Sequence, residues 1–197
     1  MSQAKTFHAQ IQSGPMVVAP GAYDCITARL IAQAGYPAVY MTGAGTSVAH
    51  GLPDYGLLTM TEMVANARRI TGCIDVPLVS DSDTGYGNEL NAYRTVQEFE
   101  RAGVAAIHIE DQVFPKKCGH LEDKELISLE DYTAKIRAAV AAKSTREFQI
   151  SRAPTVGRVL VSRKPFAAAM APSRPAPTWR FSKRRKPCPK SSRCPNW

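Results

Sequence analysis

Four carboxylates in this chain stand where they could hold a cation: Asp81 and Asp83 in DSDTGYG, Glu110 in HIEDQ and Asp54 in GLPDYG. Carboxylate oxygens are the hard ligands that suit Mg²⁺, which takes an octahedral shell and keeps several waters. Asp81 and Asp83 close one apolar run and Glu110 closes another, so these acids sit where strands break into loops. An Asp-rich strand end is also ordinary turn and capping material. Acids at two neighbouring strand ends shift the balance towards a metal, with Asp54 as a fourth oxygen donor. His108, with one residue between it and Glu110, reads equally as a ligand or as a satisfied core histidine. Thr42-Gly43-Ala44-Gly45 offers backbone N–H groups and a hydroxyl that can cradle a carboxylate or phosphate, although tight-turn glycine alone accounts for such a string.

A different chemistry is suggested by Lys116-Lys117-Cys118-Gly119-His120. Positive charge beside a thiol favours the thiolate, and glycine lets backbone pass close to a ligand. A cysteine so placed could give or take a proton. The plainer reading is a small hydrophobe next to a wet lysine pair.

These residues need a scaffold, and the first 150 residues have its rhythm. Apolar, β-branched runs at 16–19, 38–41, 76–80 and 105–109 alternate with helical patterns at about 24–34, 59–71, 89–102 and 129–143, and a fifth strand begins at 148–150. Strand alternating with helix predicts a parallel sheet. Gly35, Gly72 and Gly103 punctuate the helix ends, and Ser128 opens the last helix as a cap. The fold expected is α/β, four β/α units amounting to the N-terminal half of a (β/α)₈ barrel, with reactive side chains at the strand ends.

With 197 residues, 44% of them hydrophobic, the chain can bury one sizeable core, and no apolar run approaches the length of a membrane span. Five cysteines without metal-like spacing fit a reducing compartment, and the N-terminus lacks a secretory h-region, so the cytoplasm is expected. The net charge of +8 conceals a division: residues 1–150 hold 13 Lys+Arg against 17 Asp+Glu, whereas residues 151–197 hold 12 Lys+Arg and no acid. The second part also carries eight of the fourteen prolines, without helical or strand periodicity. It reads as a basic, low-order tail that is not expected to pack.

Such a tail could bind nucleic acid, Trp179, Phe181 and Trp197 stacking on bases among the lysines and arginines. The favoured account is an out-of-frame sequence. With one choice of GC-rich codons for Ser151 to Thr155, a one-nucleotide shift reads Ala-Arg-Thr-Asp after a first apolar residue. A frameshift close to Ile150 is therefore expected, and an intact reading frame in the resequenced DNA would dispose of it.

Together, YMTGAGTS, GLPDYG, DSDTGYG, HIEDQ and PKKCGH, in this order and spacing over about residues 10–150, resemble the isocitrate lyase and phosphoenolpyruvate mutase superfamily. KKCGH is similar to the lyase branch, which includes 2-methylisocitrate lyase and 2,3-dimethylmalate lyase; carboxyphosphonoenolpyruvate phosphonomutase has a motif of the same type. The resemblance implies a (β/α)₈ barrel, Mg²⁺ held by Asp81, Asp83 and Glu110 directly or through water with Asp54 outside them, and a mobile loop carrying Cys118. It implies that Thr42, Gly43 and Ala44 bind the substrate's α-carboxylate, that Tyr40 stands near the reacting hydroxyl, and that Cys118 is the catalytic acid/base. Lys117 and Gly119 fall on the substrate side of that loop, and Lys116, Lys117 and His120 tune the thiol. The family is usually a homotetramer that takes a small carboxylate substrate. Its substrate arginine lies on an ARTD motif of the fifth strand, out of register here with Arg152 and Thr155. The implied reaction is carbon–carbon cleavage of a 2-hydroxy di- or tricarboxylate to an α-keto acid, with the phosphonomutase as the alternative. A half barrel leaves sheet edges unpaired, so the 197-residue product is expected to lack lyase activity.

Overall fold

Strands β1 (Gly21–Ala22), β2 (Val39–Met41), β3 (Leu78–Asp81), β4 (Ala106–Glu110) and β5 (Gln149–Ala153) form one sheet in sequence order, every neighbouring pair parallel. This computed structural model describes residues 2–119, 121 and 123–153, which belong to one compact unit, Met1–Arg163. The tail expected from residue 151 onward lies, beyond Ala153, outside the described residues. Parallel neighbours require crossovers, and helices supply them. The helices α2 (Cys25–Gln33), α4 (Met60–Thr71), α5 (Glu89–Arg101) and α6 (Leu129–Ala142) fall where the apolar periodicity places them. Asp24, Thr59 and Asn88 each close a reciprocal capping box at the start of α2, α4 and α5, satisfying end N–H groups that would otherwise lack partners. No helix among the described residues is long and apolar enough to cross a membrane.

Two further helices depart from the expected pattern. The first is α1 (Gln3–Gln12), which buries Phe7, while the Gln3 side chain accepts from Leu78 N–H at 3.2 Å and donates to the Ile74 carbonyl at 3.3 Å. The second is α3 (Gly43–Ala49), wound from the run expected to be a glycine turn. Its N-cap is Thr42, whose Oγ1 accepts from Gly45 N–H at 2.8 Å, and a Cβ on Gly45 would lie 2.3 Å from that oxygen. Glycine is what allows this turn to tighten.

The first strand is displaced from 16–19, where Met16 and Val18 are 72% and 46% exposed. Proline lacks the N–H a central ladder needs, and pairing begins only after Pro20, whose carbonyl accepts from Tyr40 N–H at 2.9 Å. The fifth strand runs to Ala153, past the boundary expected near residue 150.

Strand pleating divides the sheet's side chains between two faces. Met41, Leu78, Ile107 and Ile109 join Met63, Ile70, Val96, Phe99, Ile136 and Phe148 in one buried apolar cluster. Each such fully buried side chain contributes roughly 1.5–3 kcal/mol of transfer free energy. The alternate positions, Tyr40, Asp81, His108 and Glu110, share the opposite face, with Asp81 directly beside His108 in the ladder. Arg152 pairs with Ile109, on the face turned away from His108 and Glu110.

A candidate metal centre at the strand ends

Asp81, His108 and Glu110 each offer one ligand atom, and these atoms lie within 4.8 Å of one another. The Asp81 carboxylate is fixed on both oxygens: Oδ2 accepts from Gly43 N–H at 3.2 Å, and Oδ1 accepts from Asp83 N–H at 2.9 Å and lies 3.3 Å from His108 Nε2. Burial works against its charge, but the His108 charge and hydrogen bond, Lys116 and the Asp83 N–H outweigh burial and hold it well below the usual carboxylate range. For His108, burial alone would lower the pKa; the Asp81 charge and hydrogen bond reverse that and raise it, with Glu110 and Asp83 adding to the effect. Glu110 is raised by burial and then by the Asp81 charge. Tyr40 stacks on His108 with ring centroids 5.3 Å apart, its hydroxyl 3.0 Å and 3.1 Å from the two ring nitrogens. Burial, followed by the charges of Asp81 and Glu110, pushes that phenol well above its ordinary value, so it keeps its proton.

Asp83 and Asp54 stand outside this donor set, around a buried ammonium. Lys116 Nζ lies 2.6 Å from Asp54 Oδ1 and 3.0 Å from Asp83 Oδ1. Asp83 adopts a left-handed backbone, φ +47°, which turns its carboxylate towards Lys116. Burial and the Asp81 charge push Asp83 up to about 7 despite that lysine. Of the four expected carboxylates, Asp81 and Glu110 thus converge with His108, while Asp83 and Asp54 share Lys116 beside them. The set still fits a divalent cation. Burial and the Asp81 charge raise Glu110 within the set and Asp83 beside it, a crowding of negative charge that a cation would relieve.

The loop after β3 is held from several sides. Glu110 N–H donates to the Asp83 carbonyl at 2.8 Å, Thr95 Oγ1 of α5 to the Gly85 carbonyl at 3.1 Å, and buried Lys135 Nζ of α6 to the Thr84 carbonyl at 2.9 Å. Tyr132 of α6 donates to the Ile109 carbonyl at 2.8 Å. Two helices thereby fix the ends of the strands that carry the acids.

Cys118 is half-buried and follows directly on residues stitched into the acidic cluster. Lys116 reaches Asp83, and the Lys117 peptide is paired with Gln112, which in turn donates to Glu110 Oε2 at 2.8 Å. Both lysines expected to tune the thiol have their ammonium groups engaged elsewhere, Lys117 Nζ donating to the Asp123 carbonyl at 2.9 Å. Gly119 has open space where a side chain would stand, and His120 lies outside the described residues. Of the expected carboxylate cradle, Thr42 is the α3 cap and the Gly43 N–H is committed to Asp81. Gln112, Lys135 and the ligand role of His108 were not assigned from the motifs. Their partners come from other elements, and only the spacing of His108 to Glu110 hinted at one of them.

The phosphoenolpyruvate phosphomutase family profile matches residues 7–170. The chain is 51% identical over 151 residues to 2,3-dimethylmalate lyase of Eubacterium barkeri, covering 76% of this chain and 52% of that protein. It is 49% identical over 133 residues to 2-methylisocitrate lyase of Aeropyrum pernix, covering 68% and 43%. Among solved structures, phosphonopyruvate hydrolase in complex with oxalate and Mg²⁺ matches with a TM-score of 0.72 at 32% identity, covering 78% of this chain and 53% of that one. The chain spans about half the length of the curated relatives it matches. Sheet order, the acids at the ends of β3 and β4 and a family match over most of the sequence agree, and the chain belongs to the phosphoenolpyruvate mutase/isocitrate lyase superfamily.

Proposed function

We propose that this chain carries the metal-binding half of a Mg²⁺-dependent carbon–carbon lyase site for a 2-hydroxy di- or tricarboxylate of the dimethylmalate or methylisocitrate type. The observation that carries this reading is the Asp81, His108 and Glu110 set, tied through Gln112 to the segment of Cys118. Bound there, Mg²⁺ would chelate the substrate's carboxylate and hydroxyl and lower the hydroxyl's pKa. The chain's own groups do the rest. Tyr40 keeps its proton and donates towards the reacting oxygen. The hydroxyl proton passes to solvent; as the carbon–carbon bond breaks, its electron pair leaves with the second carboxylate fragment, and the hydroxyl carbon becomes the carbonyl of an α-keto acid. The Cys118 thiol protonates the departing carbanion and regains a proton from solvent. Lys116 pairs with Asp83 and Asp54 and holds both carboxyl groups in place without standing on the substrate.

Two measurements test this reading. Mn²⁺ electron paramagnetic resonance on the 197-residue chain should show binding that Asp81→Asn and Glu110→Gln remove. Pyruvate release from dimethylmalate and methylisocitrate is then measured with the reading frame restored after Ile150. Mg²⁺-dependent release lost in Cys118→Ser supports the lyase reading. Phosphonate rearrangement without pyruvate release would replace it with the mutase reading, and no Mn²⁺ binding would remove both.

A further inference from the structure

We infer that Gln112 couples the cation site to the Cys118 segment, so that metal occupancy sets how accessible the thiol is; this rests on the metal reading above and extends it. Gln112 is 2% exposed. Its Nε2 donates to Glu110 Oε2 at 2.8 Å and to the Lys117 carbonyl at 2.9 Å, and its Oε1 accepts from Lys117 N–H at 3.1 Å. The side-chain amide therefore pairs with the Lys117 peptide as a neighbouring strand would, and spends its remaining donor on a proposed metal ligand. A primary amide alone offers two donors and an acceptor at this length.

The surroundings make this contact a hinge point. The excursion that carries Cys118 is closed at its base by Val113 N–H on the Glu125 carbonyl at 2.8 Å and Ile127 N–H on the Asp111 carbonyl at 2.9 Å, with Gln112 bridged to Leu126. Gln112 adds a tie across the neck, one residue before the thiol. Beyond the thiol, nothing lies within 4 Å of where a Cβ on Gly119 would stand. The segment is thus pinned across its neck ahead of Cys118, and after it by local bonds, Leu121 N–H on the Cys118 carbonyl at 2.9 Å and Lys124 Nζ on the Gly119 carbonyl at 3.2 Å. A cation that draws on Glu110 Oε2 competes with the Gln112 donor, and the amide then redistributes its bonds between Glu110 and the Lys117 peptide. Coupling of this kind is reciprocal: the loop alters metal affinity by the factor by which metal alters the loop.

The test follows iodoacetamide alkylation of Cys118 in the full chain by peptide mass spectrometry, with and without Mn²⁺, while Mn²⁺ binding is read separately by electron paramagnetic resonance. In the wild type, bound Mn²⁺ should change the Cys118 rate by about fivefold or more. At saturating Mn²⁺, Gln112→Met should bring the rate ratio to about one. Gln112→Glu keeps the size and an acceptor for Lys117 N–H but lacks both donors, and should lose the ratio as well, so a folding failure of one variant leaves the other to decide. A ratio that survives in either folded variant, or a wild-type ratio near one with Mn²⁺ bound, overturns the inference. A wild type that binds no Mn²⁺ fails instead at the metal reading, and withdraws the inference with it through a signal that does not involve the thiol.

Discussion

Protons and a cation compete for the same atoms at this site. His108, Glu110 and Asp83 all hold their protons more tightly than their ordinary values, Asp83 up to about 7. A metal must displace those protons, so its affinity rises as pH rises through that range and levels off once the groups are bare. Mn²⁺ dissociation constants should be about tenfold or more weaker at pH 6 than at pH 8. Equal affinity at pH 6 and 8 would show that the cation binds without displacing them. At this scale the acids were legible because a carboxylate at the end of an apolar run has few structural uses. Lys116 was legible as a lysine but not as a buried one. Its partner Asp54 lies 62 residues away, and nothing local distinguishes it from half-buried Lys117. Lys135 was hidden for the same reason, since its contact with Thr84 spans 51 residues.

Between elements, the site depends on how closely α3 approaches the end of β3. A Cβ on Gly43 would lie 2.7 Å from Asp81 Oδ2, the oxygen that its own N–H holds at 3.2 Å. Gly43→Ala must therefore displace the carboxylate, and Mn²⁺ affinity should fall by about tenfold while the far-ultraviolet circular dichroism of the sheet and helices is kept. Unchanged affinity would mean that Asp81 Oδ2 is not the atom that meets the cation. The four crossover helices were readable because each has a capping residue at its start and an apolar stripe. The first turn of α3 was not, because TGAG lacks an apolar stripe and its helix rests on one threonine cap and the close approach that glycine allows. Likewise, the apolar look of Met16 to Ala19 predicted a strand, and the proline that follows set the pairing elsewhere.

Across the whole chain, charge and architecture divide at nearly the same place. The β/α rhythm of residues 1–150 specified the parallel sheet and its order, and that part holds 13 Lys+Arg against 17 Asp+Glu; residues 151–197 hold 12 Lys+Arg and no acid. Every ligand atom assigned here lies within the unit Met1–Arg163. A chain ending at Arg163 should therefore bind Mn²⁺ within about twofold of the full chain at 0.15 M salt. The out-of-frame account favours no nucleic-acid partner; under the competing account, binding of the full chain to a DNA duplex would weaken steeply between low and physiological salt and vanish on the same deletion. The two readouts separate the two kinds of electrostatics: a buried cluster that recognises a cation through fixed oxygens, and a run of cations that attracts polyanions without shape. Loss of Mn²⁺ affinity on deletion would place a ligand atom beyond Arg163, and the donor set of Asp81, His108 and Glu110 would then be incomplete.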